Sequence, residues 1–160
     1  MKEIKVTFNE INSSKDYSLE LGCGHKKLNP RFLGIDIIET TAVDIQGDIF
    51  EVLSRIDNGV IKEISSHHFI EHITDLELLL KECSRVLVIA GIFSARVPHF
   101  SNPYFYSDYT HRTFFGLYTF QYLCREQYFH RKVPNYSIDF GIKIVTTKIL
   151  FGGERPFYIK

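Results

Sequence analysis

Ile4, Val6 and Phe8 alternate with Lys5 and Thr7, a period of two that predicts a short, half-exposed strand at the start of the chain. The cluster Asn12-Ser13-Ser14-Lys15-Asp16 predicts a turn, and Tyr17 to Leu21 the first buried strand. Leu33 to Ile37 predicts a second strand and Ala42 to Gln46 a weak third. The connection between the first two, His25 to Phe32, is too short for an ordinary helical crossover and is interrupted by Pro30. Phe50 to Ile56 predicts a short helix closed by Asp57-Asn58-Gly59, and Val60 to Ser66 a fourth strand. Behind Thr74-Asp75-Leu76-Glu77, which has the form of a capping box, Leu76, Leu79, Leu80, Cys83, Val86 and Leu87 recur with helical spacing. Ala90-Gly91 predicts a turn into a fifth strand, Ile92 to Val97.

The second half has a different texture. From Ser101 to Arg131 aromatic residues are dense, and the pattern predicts a loop to about Thr113 and a helix from Leu117 to Tyr128. Asp139 to Phe151 predicts a late strand beside the fifth. Strands alternating with helical segments imply an α/β fold with a mostly parallel sheet, its first crossover helices shortened or missing. One domain over 1–160 is expected: a first half at 18–98, an aromatic segment at 99–131 and a closing strand at 139–151.

Composition removes several function classes. Lys plus Arg and Asp plus Glu both number 19, so no bulk field points to nucleic acid or to a charged membrane. No apolar run reaches the roughly 20 residues needed to span a bilayer, and Met1 to Lys5 lack the apolar stretch of a secretory signal. Cys23, Cys83 and Cys124 are odd in number and far apart, which favours free thiols in a reducing compartment. A cytoplasmic protein is expected, with a small-molecule partner, no nucleic acid and no membrane span; a homo-oligomer is left open.

The chemistry concentrates at strand ends. Leu19-Glu20-Leu21-Gly22-Cys23-Gly24 ends one apolar run in a Gly-x-Gly turn, and Gly34-Ile35-Asp36-Ile37 ends the next in an acid. That is the arrangement of a nucleotide-type ligand at the carboxyl ends of two parallel strands, with glycines admitting close approach and Asp36 accepting from ribose hydroxyls. A dinucleotide fingerprint would need a third glycine where Lys27 stands, and a helix N-terminus for the pyrophosphate. Both are missing, so an NAD-type oxidoreductase is the weaker reading.

With these motifs on one chain, the sequence resembles the class I S-adenosylmethionine-dependent methyltransferases. The resemblance is greatest to a small type 11-like branch often found in surface-polysaccharide biosynthesis clusters. It spans roughly residues 18–119. Besides the two turns, it is carried by Gly47-Asp48-Ile49, Ser65-Ser66-His67-His68-Phe69-Ile70-Glu71-His72, Arg85-Val86-Leu87 with Gly91, Val97-Pro98-His99 and Asp108-Tyr109-Thr110-His111-Arg112. Departures are Lys26 in place of a third turn glycine, Val88-Ile89-Ala90-Gly91 before the fifth strand, and one late strand where the family has two. A truncated chain, or a sheet completed by a partner, is the corresponding expectation.

The resemblance implies a Rossmann-like three-layer sandwich that binds S-adenosylmethionine, a cofactor that needs no pyrophosphate cradle. Gly22, Cys23 and Gly24 would pass the methionine portion, Glu20 would fix the turn or the ligand's amino group, and Asp36 with Ile37 would meet the ribose. Asp48 and Ile49 would line the adenine, and His67 would adjoin the cofactor. The activity implied is methyl transfer to a hydroxyl of a sugar-like acceptor, the alternative being a non-catalytic cofactor-binding or assembly subunit.

His68, Glu71 and His72 have the spacing of one helical face. A neutral His68 or His72 could take the acceptor's proton, or these three could hold a divalent metal, with the base preferred and no metal expected. The competing reading makes Glu71 and His72 structural braces. His111 is expected to face the acceptor and Arg112 to pair with an anionic group on it. Most of the aromatics are expected to fill the core beneath a lid.

Overall fold

The computed structural model describes residues 6–124 and 141–150. Five strands form one sheet: β1 (Tyr17–Leu21), β2 (Leu33–Asp36), β3 (Ile45–Gln46), β4 (Ile61–His67) and β5 (Leu87–Arg96). Every pairing is parallel and the order is β3-β2-β1-β4-β5. The chain therefore steps outward from β1 to one edge, returns, and steps to the other. The carboxyl ends of β1 and β4 lie side by side at the reversal, the place where α/β sheets of this kind hold ligands.

The helices are α1 (Phe8–Ser13), α2 (Ile49–Ser54), α3 (Leu76–Val86) and α4 (Pro103–Ser107), with 3-10 turns at Ile70–His72 and Thr119–Leu123. Right-handed crossovers put α2 and α3 on one face of the sheet, and the two helices touch. That face is apolar: Leu19, Leu21, Ile35, Ile61 and Ile64 of the strands pack with Leu79, Leu80 and Cys83 of α3 in one core.

The opposite face is polar because the strands alternate. Gly34, Glu20, Ser65 and Ser94 lie in register across it, and Ser18, Glu63 and Ile92 form a second row. Strands of a parallel sheet covered on both faces read as continuous apolar runs. These do not, and among the described residues no helix joins β1 to β2 or β2 to β3, the two crossovers that would cover this face. Alternating strands and shortened crossovers are one design.

The start of the chain corrects the expected strand at Ile4 to Phe8. Residues 1–5 lie outside the described residues, and Thr7 caps α1. Glu10 N–H donates to Thr7 Oγ1 (3.3 Å) while Thr7 N–H donates to Glu10 Oε2 (2.7 Å), a reciprocal capping box that outweighs the local alternation. Ile11 is then fully buried, and the Arg55 guanidinium lies 3.8 Å over the Phe8 ring.

Helix α3 begins one residue later than the Thr74 box predicts, because Asp75 Oδ1 accepts from Leu78 N–H at 2.9 Å. Its buried face is Leu76, Leu79, Leu80, Cys83 and Val86, as the periodicity predicts. The turn at Ala90-Gly91 is a bulge inside β5, with Ile61 opposite Leu87 but Glu63 opposite Ile92, and Ala90 at φ 64°. The predicted helix at 117–128 is a 3-10 turn over Thr119–Leu123, and its last four residues lie outside the described residues. Of the late strand at 139–151, residues 141–150 are described and form none: alternation alone supplies no hydrogen-bonding neighbour.

Candidate functional site

The Gly-x-Gly turn leaves β1 with both glycines at positive φ, 67° at Gly22 and 56° at Gly24. The reasons differ. A Cβ on Gly22 would sit 2.4 Å from the Phe69 ring, so Phe69 packs directly on the turn. A Cβ on Gly24 would meet nothing within 4 Å, so the space before it is open.

The turn's N–H groups are already used. Gly22 and Cys23 donate to Ile35 C=O (2.9 and 3.3 Å), and Gly24 donates to Asp36 Oδ2 (2.8 Å). A pyrophosphate would need free donors here, so the turn offers shape rather than an anion nest. Asp36 also accepts from Ile38 N–H at 3.1 Å through Oδ1. A carboxylate has about four acceptor positions, so both oxygens keep capacity for ribose hydroxyls. Ile37 beside it is exposed, an apolar surface next to that acid.

Glu20 resolves to the first of its two expected roles. It is 2% exposed, and its oxygens accept from Leu28 N–H (2.9 and 3.0 Å) and Asn29 N–H (3.1 Å). The carboxylate thus organises the short crossover that replaces a helix. Three residues share this work, of which the sequence pointed to Lys27 only as a missing glycine and to Asp44 and Thr40 not at all. Lys27 Nζ donates to Asp44 Oδ2 (2.5 Å) and to Phe32 C=O (3.0 Å). Asp44 Oδ2 also accepts from Gly34 N–H at 2.9 Å, and Thr40 Oγ1 donates to Gly24 C=O at 2.7 Å. Lys27, which spoils the dinucleotide fingerprint, is the pin of the replacement loop.

The remaining cofactor candidates divide. The Cys23 thiol is turned inward, and burial, reinforced by Asp36, Glu20 and Asp44, pushes its pKa to about 11; it stays a neutral thiol. Asp48 is the N-cap of α2, its Oδ1 accepting from Phe50 and Glu51 N–H groups (2.8 and 3.3 Å). Ile49 packs into the core behind it.

His67 ends β4 opposite Arg96. Burial first, then the positive fields of His68 and Arg96, hold its pKa below the ordinary 6.5. The unfolded chain therefore takes up this proton at higher pH than the folded one. The stability it contributes is complete above the ordinary value and is lost as pH falls through the lowered one. The urea midpoint should drop as pH is lowered past the ordinary 6.5, and drop less in His67→Asn. Equal declines in the two proteins would refute the assignment.

The segment after β4 corrects the shared helical face. His68 stands at φ 53°, outside the 3-10 turn Ile70–His72, and its side chain is 53% exposed. Its Nδ1 lies 3.4 Å from Glu71 Oε1. The turn is too short and too tightly wound to align the three side chains. Instead Glu71 and His72 meet His111, 40 or fewer positions away in sequence yet adjacent in space. The His72 and His111 rings are 4.9 Å apart, and one ligand atom from each of Glu71, His72 and His111 lies within 4.8 Å of the others. His111 C-terminal neighbours lock the segment down: Arg112 and Thr113 N–H groups donate to Glu71 C=O (2.7 and 3.1 Å). The Arg112 side chain is exposed.

The aromatic segment is not chiefly core. Phe105 and Phe115 are buried, but Tyr104, Tyr106, Tyr109, Phe114 and Tyr118 are exposed. The expectation that most would fill the interior fails because α4 is only five residues long and hides one of its rings. Nearby, an open cavity of about 860 Å³ is walled by Phe100, Tyr118 and Tyr122 with Asp75, Glu77 and His99. It includes none of the Gly-x-Gly turn.

No helix among the described residues is long and apolar enough to cross a membrane. No protein-family model matches the chain, and no curated protein does. Among solved structures it is similar to a SAM dependent methyltransferase from Archaeoglobus fulgidus, with a TM-score of 0.58 and 18% identity over 75% of this chain and 68% of that one. With its five parallel strands, few helices and strand reversal at β1 and β4, the chain has a Rossmann-like methyltransferase fold.

Proposed function

We propose that the protein transfers the methyl group of S-adenosylmethionine to a hydroxyl of a small, sugar-like acceptor. The observation that carries this is the pairing of Gly24, with open space before it, and Asp36, whose carboxylate is held by the Gly24 N–H at the ends of β1 and β2. The fold neighbour's activity and the lack of free N–H donors for a pyrophosphate both favour it over a dinucleotide.

Gly22, Gly24 and Asp36 would hold the cofactor, with Ile37 against it. When bound it supplies an electrophilic methyl group. The chain's part is then to place the acceptor oxygen in line and to manage its proton as the O–CH3 bond forms and the S–CH3 bond breaks. Glu71, His72 and His111 are the polar groups suited to activating that hydroxyl, with the exposed His68 beside them. The exposed aromatics offer flat faces to a sugar ring, which fits the acceptor class carried by the resemblance to the surface-polysaccharide branch. Work in the cytoplasm agrees with Cys23, Cys83 and Cys124 being free.

Titration calorimetry with S-adenosylhomocysteine tests the reading; absence of binding at tens of micromolar would overturn it. Asp36→Asn keeps one acceptor for Gly24 N–H but removes charge-assisted bonds to the ribose. Its affinity should fall about 10- to 100-fold, the loss of roughly 1.5–3 kcal/mol, while the unfolding midpoint moves little. Unchanged affinity would place the ligand elsewhere.

A further inference from the structure

Glu71 is a buried acid with one oxygen unpaired among the described residues. Its side chain is 1% exposed, its Oε1 has only the distant His68 Nδ1, and its Oε2 has no hydrogen-bond partner among the described residues. A buried carboxylate oxygen without a donor is costly, so the site is short of positive charge at this point.

The two imidazoles beside it are held in defined states. His111 Nδ1 lies 2.7 Å from Phe105 C=O, which can only accept, so Nδ1 carries the proton. Its Nε2 is then the lone-pair nitrogen in the neutral ring, yet it faces Asp108 Oδ2 at 3.7 Å. His72 Nδ1 lies 2.9 Å from Thr110 Oγ1, and that hydroxyl gives its one proton to Asp108 Oδ1 at 2.6 Å. The hydroxyl must therefore accept from His72, which again leaves Nε2 as the lone pair. A carbonyl behind one imidazole and a hydroxyl–carboxylate relay behind the other are the outer supports that metal-ligating histidines have.

We propose that Glu71, His72 and His111 bind one divalent transition-metal ion through a carboxylate oxygen and two imidazole nitrogens. Two nitrogens and one oxygen suit ions of the zinc, cobalt or ferrous-iron class rather than magnesium or calcium, which take oxygen ligands. The ion satisfies Glu71 Oε2 and separates the His111 lone pair from Asp108. Three protein ligands leave positions open, and an ion there lowers the pKa of an acceptor hydroxyl. The hydroxyl proton then leaves to solvent as the O–CH3 bond forms and the S–CH3 bond breaks. Only this last role rests on the proposed methyl transfer; ion binding does not. His111 takes the place that His68 held in the metal alternative weighed from the sequence, where no metal was expected.

The test is titration of the chelator-treated full chain with Co²⁺, followed by visible absorption, with circular dichroism as a check on folding. One equivalent should bind, Zn²⁺ should displace it and millimolar Mg²⁺ should not. Glu71→Gln and His111→Gln should each weaken binding at least tenfold, and Thr110→Val, which leaves every ligand in place, about 10- to 100-fold. His68→Ala, which removes none of the three ligands, should leave the one-equivalent stoichiometry unchanged. No saturable cobalt spectrum, or one that survives Glu71→Gln and Thr110→Val, overturns the proposal; if Glu71→Gln fails to fold, Thr110→Val alone decides. Asp36→Asn separates the two readings, since it should retain cobalt binding while its affinity for S-adenosylhomocysteine falls.

Discussion

Alanine at Gly22 is expected to destabilise the protein severely, whereas alanine at Gly24 should leave it folded and weaken S-adenosylhomocysteine binding. Both glycines are at positive φ, which costs an L-residue about 1–2 kcal/mol. At Gly22 the new Cβ would also lie 2.4 Å from the Phe69 ring, closer than any real contact, so either the turn or Phe69 must move. Phe69 directly precedes the 3-10 turn that carries Glu71 and His72, and His72 N–H donates to Phe69 C=O at 2.9 Å. A shift there is felt at the site as well as in the core. Overpacking of this kind adds about 1–3 kcal/mol to the backbone term.

At Gly24 only the backbone term applies, because its Cβ projects into open space. That space is where the ligand would lie, so the methyl group should reduce S-adenosylhomocysteine affinity by more than tenfold at little cost in stability. Urea unfolding and calorimetry on the two variants read the contrast. If Gly24→Ala binds as well as the parent, the open space is not the cofactor's. If Gly22→Ala is as stable as Gly24→Ala, the Phe69 contact is not rigid.

The parts legible in the sequence are those set by near neighbours. The bounds of β1 follow from Tyr17 to Leu21, and the buried face of α3 follows from its spacing. The shortened first crossover agrees with Leu19-Glu20-Leu21, where a buried carboxylate that holds a loop alternates with apolar residues. The failures have two causes. At Thr7 a capping box and a strand-like alternation occupy the same residues, and reciprocal hydrogen bonds decide between them. Elsewhere the contacts are remote: Thr40 reaches Gly24, Asp44 reaches Lys27, and His111 reaches Glu71 and His72. No local pattern reports such meetings. The His-x-x-Glu-His spacing suggested one shared face because spacing assumes a helix; His68 at positive φ is not in one, and it is His111 that lies beside Glu71 and His72.

Glu20→Ala tests whether one carboxylate does the work of the missing crossover helix. In the folded protein it is buried and satisfies the N–H groups of Leu28 and Asn29 in a loop that has no internal ladder of its own. The deletion strands those donors and empties a buried volume beside the Gly-x-Gly turn. An expected loss of about 2–6 kcal/mol follows if water stays out, about 1–3 kcal/mol for each of the two stranded donors, and less if the loop opens and water takes the carboxylate's place. In both cases the 22–32 loop loses its register. Asp36 then loses the fixed Gly24 N–H, and S-adenosylhomocysteine binding should fail even where the fold survives. Glu20→Gln should do little better than alanine, because its amide NH2 would confront N–H donors. Hydrogen exchange makes the attribution specific: the Leu28 and Asn29 amides should be protected in the parent and exposed in Glu20→Ala, while those of β4 change only as far as global stability does. If the two loop amides exchange freely in the parent, Glu20 does not hold the loop, and the Lys27–Asp44 pair must carry it instead.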